Sequence, residues 1–303
     1  MRVSMMGQAA FGEAVLKRLA GLDGIEISCV SAPEGGARPD PLYALARDRA
    51  VDVVPTGALK TAEGLARWRA AAGDLTVMAF VTEILPAEIF SAARLGTIQY
   101  HPSLLPLHRG MSSINWPIIF GETRTGITVF WPDAGIDTGP ILLQREYPIG
   151  PDDTVGSLYF EQLFPMGVDA IIEGVELVKS GTAPRIEQNH ALATNEPSCR
   201  EEHGRIAWHA PAERVYALIR GCNPQPGAWG TWDGEPLKFF DCRLTPAEPG
   251  VTGRVLRVDG EGFDIRLNGG VLRVLRVQPG GGKKISAGEW AGAVNLKTGS
   301  HFR

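Results

Sequence analysis

Up to about residue 180 the chain repeats one pattern: a short apolar run, a turn marked by glycine or proline, then a stretch with helical spacing. Residues 2–6 read as a buried strand, and Gly7-Gln-Ala-Ala-Phe-Gly12 turns into a helix reaching about Leu22. A second strand is expected at 25–31, a Pro/Gly-rich loop at 32–41, and a helix from Asp40-Pro41-Leu42 to about Ala50. A short strand at 52–55 and a helix at 61–72 follow. Residues 75–80 are apolar without interruption, as a central strand covered on both faces requires. A helix at 87–93, a strand at 97–100 and a helix at 113–120, kinked or started late by Pro117, come next. Strands at 126–131 and 140–149 precede a long helical pattern at 154–179, interrupted at Pro165-Met-Gly167. Such alternation predicts an α/β architecture, a Rossmann-like doubly wound and mostly parallel sheet, with ligands at the carboxyl ends of strands.

The pattern changes across the polar stretch 186–204. Beyond it, Pro211 opens a short helix, with proline at the first turn. Strands are then expected at 237–244, 253–258, 263–267 and 271–277, with hairpin signals at Asp259-Gly260 and Asn268-Gly269. The second part is therefore expected to be a small antiparallel β-barrel. The domain organisation follows as 1–188, a linker at 189–204, and 205–303.

Charge refines this only slightly. Residues 1–204 carry 16 basic and 25 acidic side chains, and 205–303 carry 14 and 9, so the C-terminal part is mildly basic. Arg254, Arg257, Arg273 and Arg276 fall on the expected strands and read as a solvated sheet face rather than a nucleic-acid site. The four cysteines, Cys29, Cys199, Cys222 and Cys242, have no spacing that would pair them with one another or with histidines at a metal, so no metal site is expected. Residues 1–12 lack the apolar core of a signal peptide and no apolar run approaches membrane-spanning length, so a cytoplasmic protein without membrane contact is expected. The turn at Gly7–Gly12 has only the outer glycines of the dinucleotide fingerprint, which argues against NAD.

The candidate chemistry lies in 97–144. The strand at 97–100 delivers His101 into Pro102-Ser103-Leu104-Leu105-Pro106. A residue before proline favours extended geometry, so His101 ends the strand, and side-chain alternation places Gln99 on its face. Asp133-Ala-Gly-Ile-Asp137-Thr-Gly139 then forms a turn with two carboxylates. A histidine at a strand terminus and an acid in a glycine-flanked loop are the parts of an acid–base site, provided the fold joins them. Asp133 reads equally well as a turn former.

These words together resemble the formyltransferase family that uses 10-formyltetrahydrofolate, marked by Asn-x-His before Ser-Leu-Leu-Pro and then Asp-x-Gly-x-Asp-Thr-Gly. Here they stand as Gln99-Tyr-His101, Ser103-Leu-Leu-Pro106, Arg109-Gly110 and Asp133 to Gly139; the departure is Gln99 in the asparagine position. Ile219-Arg-Gly221, Pro226-Gly-Ala-Trp229 and Gly282-Lys-Lys extend the likeness to the family's C-terminal domain. The resemblance implies that 1–188 is the catalytic, folate-binding domain. It gives His101 the role of proton carrier, Asp137 that of orienting the imidazole, and Gln99 that of an oxyanion donor. It places the pterin ring of the folate beside Glu83, Ile84 and Leu85 and the loop from Asp133, with Ser103, Leu104, Leu105 and Pro106 shaping the other wall.

The family transfers the formyl group of 10-formyltetrahydrofolate to water or to an amine. Gly7 to Gly12, Asp40-Pro-Leu42, Tyr100-His101-Pro102, Asn115-Trp116, Phe130-Trp131 and Leu163-Phe-Pro165 are closest to the hydrolase-domain branch of 10-formyltetrahydrofolate dehydrogenase. Hydrolysis to tetrahydrofolate and formate is the expected reaction, with a small amine or amino sugar as alternative acceptor. Methionyl-tRNA, and nucleic acid generally, are less expected. The loop at 32–41 holds only Arg38 against Glu34 and Asp40, where the tRNA-specific branch carries a basic insertion. A folate-binding relative with a decayed site is the reading of another class, against which the pair His101 and Asp137 argues.

Overall fold

The computed structural model describes residues 1–83, 85–248 and 250–303. Seven strands form the first sheet: β1 (Arg2–Gly7), β2 (Glu26–Ala32), β3 (Val53–Pro55), β4 (Leu75–Ala79), β5 (Thr97–His101), β6 (Arg124–Phe130) and β7 (Ile141–Pro148). Their order is β3-β2-β1-β4-β5-β6-β7. The pairs β1–β2, β2–β3, β1–β4 and β4–β5 are parallel, and β5–β6 is antiparallel, with His101 opposite Thr128. The chain starts in the middle, winds outward to β3 and returns to β4. That reversal lies between β1 and β4, where a doubly wound sheet opens a crevice at the strands' carboxyl ends. Every residue of β4 is buried, in line with its unbroken apolar sequence.

The helices that cover this sheet follow from their apolar spacing. Helix Ala9–Leu19 buries Phe11, Val15, Leu16 and Leu19, and Phe11 stacks on Tyr100 of β5 at 4.5 Å between ring centroids. Asp40 caps helix Pro41–Asp48 through the Leu42 N–H at 2.9 Å and also accepts the Ala9 N–H at 2.7 Å, so one aspartate fixes two helix starts. The long helical stretch breaks earlier than expected. A π-helical segment, Leu158–Leu163, precedes helix Phe164–Ser180, and Pro165 sits in that helix's first turn, where a missing N–H costs nothing.

By compactness the chain divides into two units, 1–113 with 126–147 and 160–196, and 114–125 with 148–159 and 197–303. Residues 189–196, expected to open a linker, are thus packed within the first unit.

In the second unit, β8 (Ala228–Trp232), β9 (Glu235–Pro246), β10 (Val255–Val258), β11 (Phe263–Leu267), β12 (Gly270–Pro279) and β13 (Ile285–Ser286) form an antiparallel sheet. Its order is β10-β11-β12-β9-β8, with β13 on β12. Phe239, Phe263, Trp290 and Phe302 fill its core. Helix Asn115–Phe120 belongs here, its Asn115 donating to the Gly221 carbonyl at 2.8 Å. Arg273 pairs with Asp259 at 2.7 Å and Asp264 at 3.3 Å, and Arg276 with Asp241 at 3.1 Å, so these strand arginines are tied to neighbouring carboxylates. Among the described residues no helix is long and apolar enough to cross a membrane.

Candidate active site

His101 ends β5 with 5 % of its surface exposed. Its Nε2 lies 2.8 Å from the His108 carbonyl oxygen. A carbonyl can only accept, so Nε2 carries the proton and, in the neutral ring, Nδ1 holds the lone pair. Nδ1 faces Asp137 Oδ2 at 3.5 Å, beyond hydrogen-bond length, and both side chains are nearly buried. Two acceptors therefore converge on one point.

The Asp137 loop is held by its own chemistry. Asp137 has φ +54°, a left-handed conformation that aspartate tolerates better than most residues, and its Oδ2 accepts the Gly110 N–H at 2.8 Å. Asp133 Oδ1 accepts the Gly135 N–H at 3.0 Å and the Thr138 hydroxyl at 2.5 Å, so this carboxylate builds the turn. A side chain on Gly139 would stand 1.8 Å from the Trp131 carbonyl oxygen, which explains the glycine that closes the motif. Gln99 is half-buried, and among the described residues its carboxamide makes no hydrogen bond. It remains available to a ligand.

The other expected positions separate by role. Ser103 is fully buried, its hydroxyl donating to the Leu107 carbonyl at 2.7 Å while its own carbonyl accepts from Thr128. The Leu105 N–H donates to the Thr128 hydroxyl, and the Leu105 carbonyl accepts from Gln144 at 2.7 Å. The Leu104 side chain lies against Gly126, and the Pro106 carbonyl accepts the Thr194 N–H. This turn is thus pinned to β6 and β7 and stands as a fixed wall. Glu83 is exposed and paired with Lys60 at 2.7 Å. Leu85 points into the core with Met6, Trp68, Met78 and Ile89, anchoring its loop rather than offering its side chain to a ligand. Ile84 lies outside the described residues.

A cavity of about 340 Å³ is lined by Phe90, Thr97, Trp131, Pro132, Asp133 and Arg185, among others. The Arg185 guanidinium stacks on the Trp131 ring at 3.8 Å. Of the described residues expected to hold folate, only Asp133 lines it. Phe90 and Trp131 flank the recognised words and could have been found by proximity. His108 lies between two of those words, whereas Arg185 and Gln188 carry no local sequence signal. Among the described residues no cluster of three potential metal ligands occurs.

Comparison with known proteins identifies the family of the chain. The family model for formyl transferase matches residues 46–166, and that for the formyl transferase C-terminal domain matches 199–295. The cytosolic 10-formyltetrahydrofolate dehydrogenase of Xenopus laevis is 37% identical over 265 residues, covering 86% of this chain and 29% of that protein. The chain thus spans less than a third of the length of the dehydrogenase relatives it matches. The methionyl-tRNA formyltransferase of Desulforamulus reducens is 33% identical over 309 residues, covering 99% of this chain and 97% of that protein. An N-formyltransferase from Helicobacter canadensis, solved with folinic acid and dTDP-3-aminofucose, shares the fold with a TM-score of 0.69 at 18% identity, over 90% of this chain and 98% of that one. On two matching domain models and an end-to-end relative, the chain belongs to the 10-formyltetrahydrofolate-dependent formyltransferase family.

Proposed function

We propose that this enzyme removes the formyl group of 10-formyltetrahydrofolate with water as acceptor, releasing formate and tetrahydrofolate. The observation that carries the reading is the facing pair His101 Nδ1 and Asp137 Oδ2, two acceptors 3.5 Å apart beside the half-buried Gln99. Water can donate to both and keep a lone pair for the formyl carbon. As its oxygen attacks, Nδ1 takes the proton, and the imidazolium is stabilised by the Asp137 carboxylate and the His108 carbonyl. The carbonyl oxygen becomes an oxyanion, to which the Gln99 carboxamide can donate. Collapse breaks the C–N10 bond, and the imidazolium returns its proton to N10. The cavity bounded by Trp131, Asp133 and Phe90 suits a flat heterocycle, with apolar walls and loop backbone for its polar edge.

Likeness and charge support water as the acceptor. The best local sequence matches are to the dehydrogenase branch. The loop 33–40, between β2 and helix Pro41–Asp48, holds one arginine against two acids, too little to gain from tRNA phosphates. Turnover without acceptor tests the reading. Formate and tetrahydrofolate should appear in equal amounts, at a rate unchanged by methionyl-tRNA or a dTDP-linked amino sugar. Turnover that begins only when an amine is added would overturn it.

A further inference from the structure

The mechanism needs the Asp137 carboxylate to stay opposite His101, yet Asp137 sits in a backbone conformation that favours glycine. Among the described residues its side chain accepts one hydrogen bond, from the Gly110 N–H. The loop is also held from outside by Gln188, 5 % exposed. Its Nε2 donates to the Asp137 carbonyl at 2.9 Å and to the Gly139 carbonyl at 2.7 Å, and its Oε1 accepts from Arg109 Nη2 at 2.7 Å. Both amide protons and an oxygen lone pair are engaged. The contacts close a ring: Gln188 to Asp137, Asp137 to Gly110, Gly110 through the chain to Arg109, and Arg109 back to Gln188. Arg109 is itself buried and meets His190 Nδ1 at 3.0 Å.

The same segment reaches the other partner of the couple. The His108 N–H donates to Thr194 Oγ1 at 2.8 Å, the Arg109 N–H to the Thr194 carbonyl at 3.1 Å, and Glu196 lies 3.3 Å from His108 Nδ1. The His108 carbonyl is the group that fixes the His101 tautomer. Residues 186–196 therefore grip the loop carrying Asp137 at one end and the turn supporting His101 at the other.

We propose that segment 186–196 is a strap built into the active site and that Gln188 is the positioning residue that holds Asp137 opposite His101, an inference that rests on reading those two as the catalytic couple. Only a primary carboxamide serves here. A carboxylate would present acceptors to two carbonyls, and a thioether would present no donor. Displacing a catalytic group by about 1 Å costs on the order of 10²-fold in rate.

The test uses the full chain with Gln188→Met, Gln188→Glu and Thr194→Val, beside His101→Ala and Asp137→Asn. Turnover of 10-formyltetrahydrofolate is expressed per folinic-acid site, titrated in the same sample, so that loss of folded protein cancels. Both Gln188 variants should lower kcat per site about 10²-fold while KM and the folinic-acid Kd stay within about threefold. An unchanged kcat per site, with fewer sites, would show a merely structural residue and overturn the proposal. If neither Gln188 variant folds, Thr194→Val decides. It frees only the support under His108, and about tenfold lower kcat per site supports the strap, whereas normal kcat overturns it. Normal turnover in His101→Ala and Asp137→Asn would instead refute the catalytic couple itself, a separate result.

Discussion

Asp137→Asn isolates charge from shape. Oδ2 is the atom that both accepts the Gly110 N–H at 2.8 Å and faces His101 Nδ1 at 3.5 Å. A carboxamide oxygen in its place keeps the first contact and the distance of the second, losing only the negative charge. Asparagine also tolerates the φ of +54° that alanine would resist. At an effective dielectric of about 20, a carboxylate and an imidazolium 3.5 Å apart attract by about 5 kcal/mol. In the proposed mechanism the imidazolium forms as the nucleophile attacks, so this attraction acts on the transition state and its loss falls on kcat. Solvent reaching the site screens part of it, and we expect kcat to fall about 10²–10³-fold. One charge-assisted hydrogen bond becomes a neutral one, worth about 1 kcal/mol, so Tm should move by about 2–4 °C. Steady-state release of formate, with thermal unfolding in parallel, measures both. A loss below tenfold, with folate binding intact, would refute the charge-stabilised imidazolium.

Gln99→Leu should lower kcat about 10²–10³-fold with little change in folate affinity if the amide donates to the oxyanion, and a silent result assigns that donor elsewhere. Gln99→Asn should raise the ratio of amine transfer to hydrolysis when an amine is supplied; an unchanged product ratio rules this position out as the setter of the acceptor. Ala134→Trp, at an exposed loop position lining the cavity, should abolish folinic-acid binding without a fall in Tm, and retained affinity would move the pterin elsewhere. Burial pushes the Cys29 thiol from 9.0 up to about 12. Its neutral form stabilises the fold fully below pH 9, and that contribution is lost between pH 9 and 12. Urea unfolding at pH 8 and 10 should show a drop about 1.4 kcal/mol larger than in Cys29→Ala.

The sequence by itself determined the alternation of strands and helices, the central strand β4, the turn after His101 and the glycine-bounded Asp137 loop. Each of these is written locally: an unbroken apolar run, a residue before proline, a glycine where the Trp131 carbonyl leaves no room for a side chain. It marked His101 and Asp137 as candidates but left their meeting to the fold, which brings Nδ1 and Oδ2 to 3.5 Å. Only the tertiary structure decided what surrounds them. The side chains of Leu85 and Ser103 turn inward because burial and hydrogen bonds to the fold claim them. Arg185 stacks on Trp131, more than fifty residues earlier in the chain, and nothing in either neighbourhood encodes that contact. The polar composition of 189–196 reads as a linker because a buried polar network and a linker draw on the same residues. Imidazole and carboxylate side chains suit solvent as well as they suit a buried network, and only the partners they meet, Arg109 and His108, separate the two.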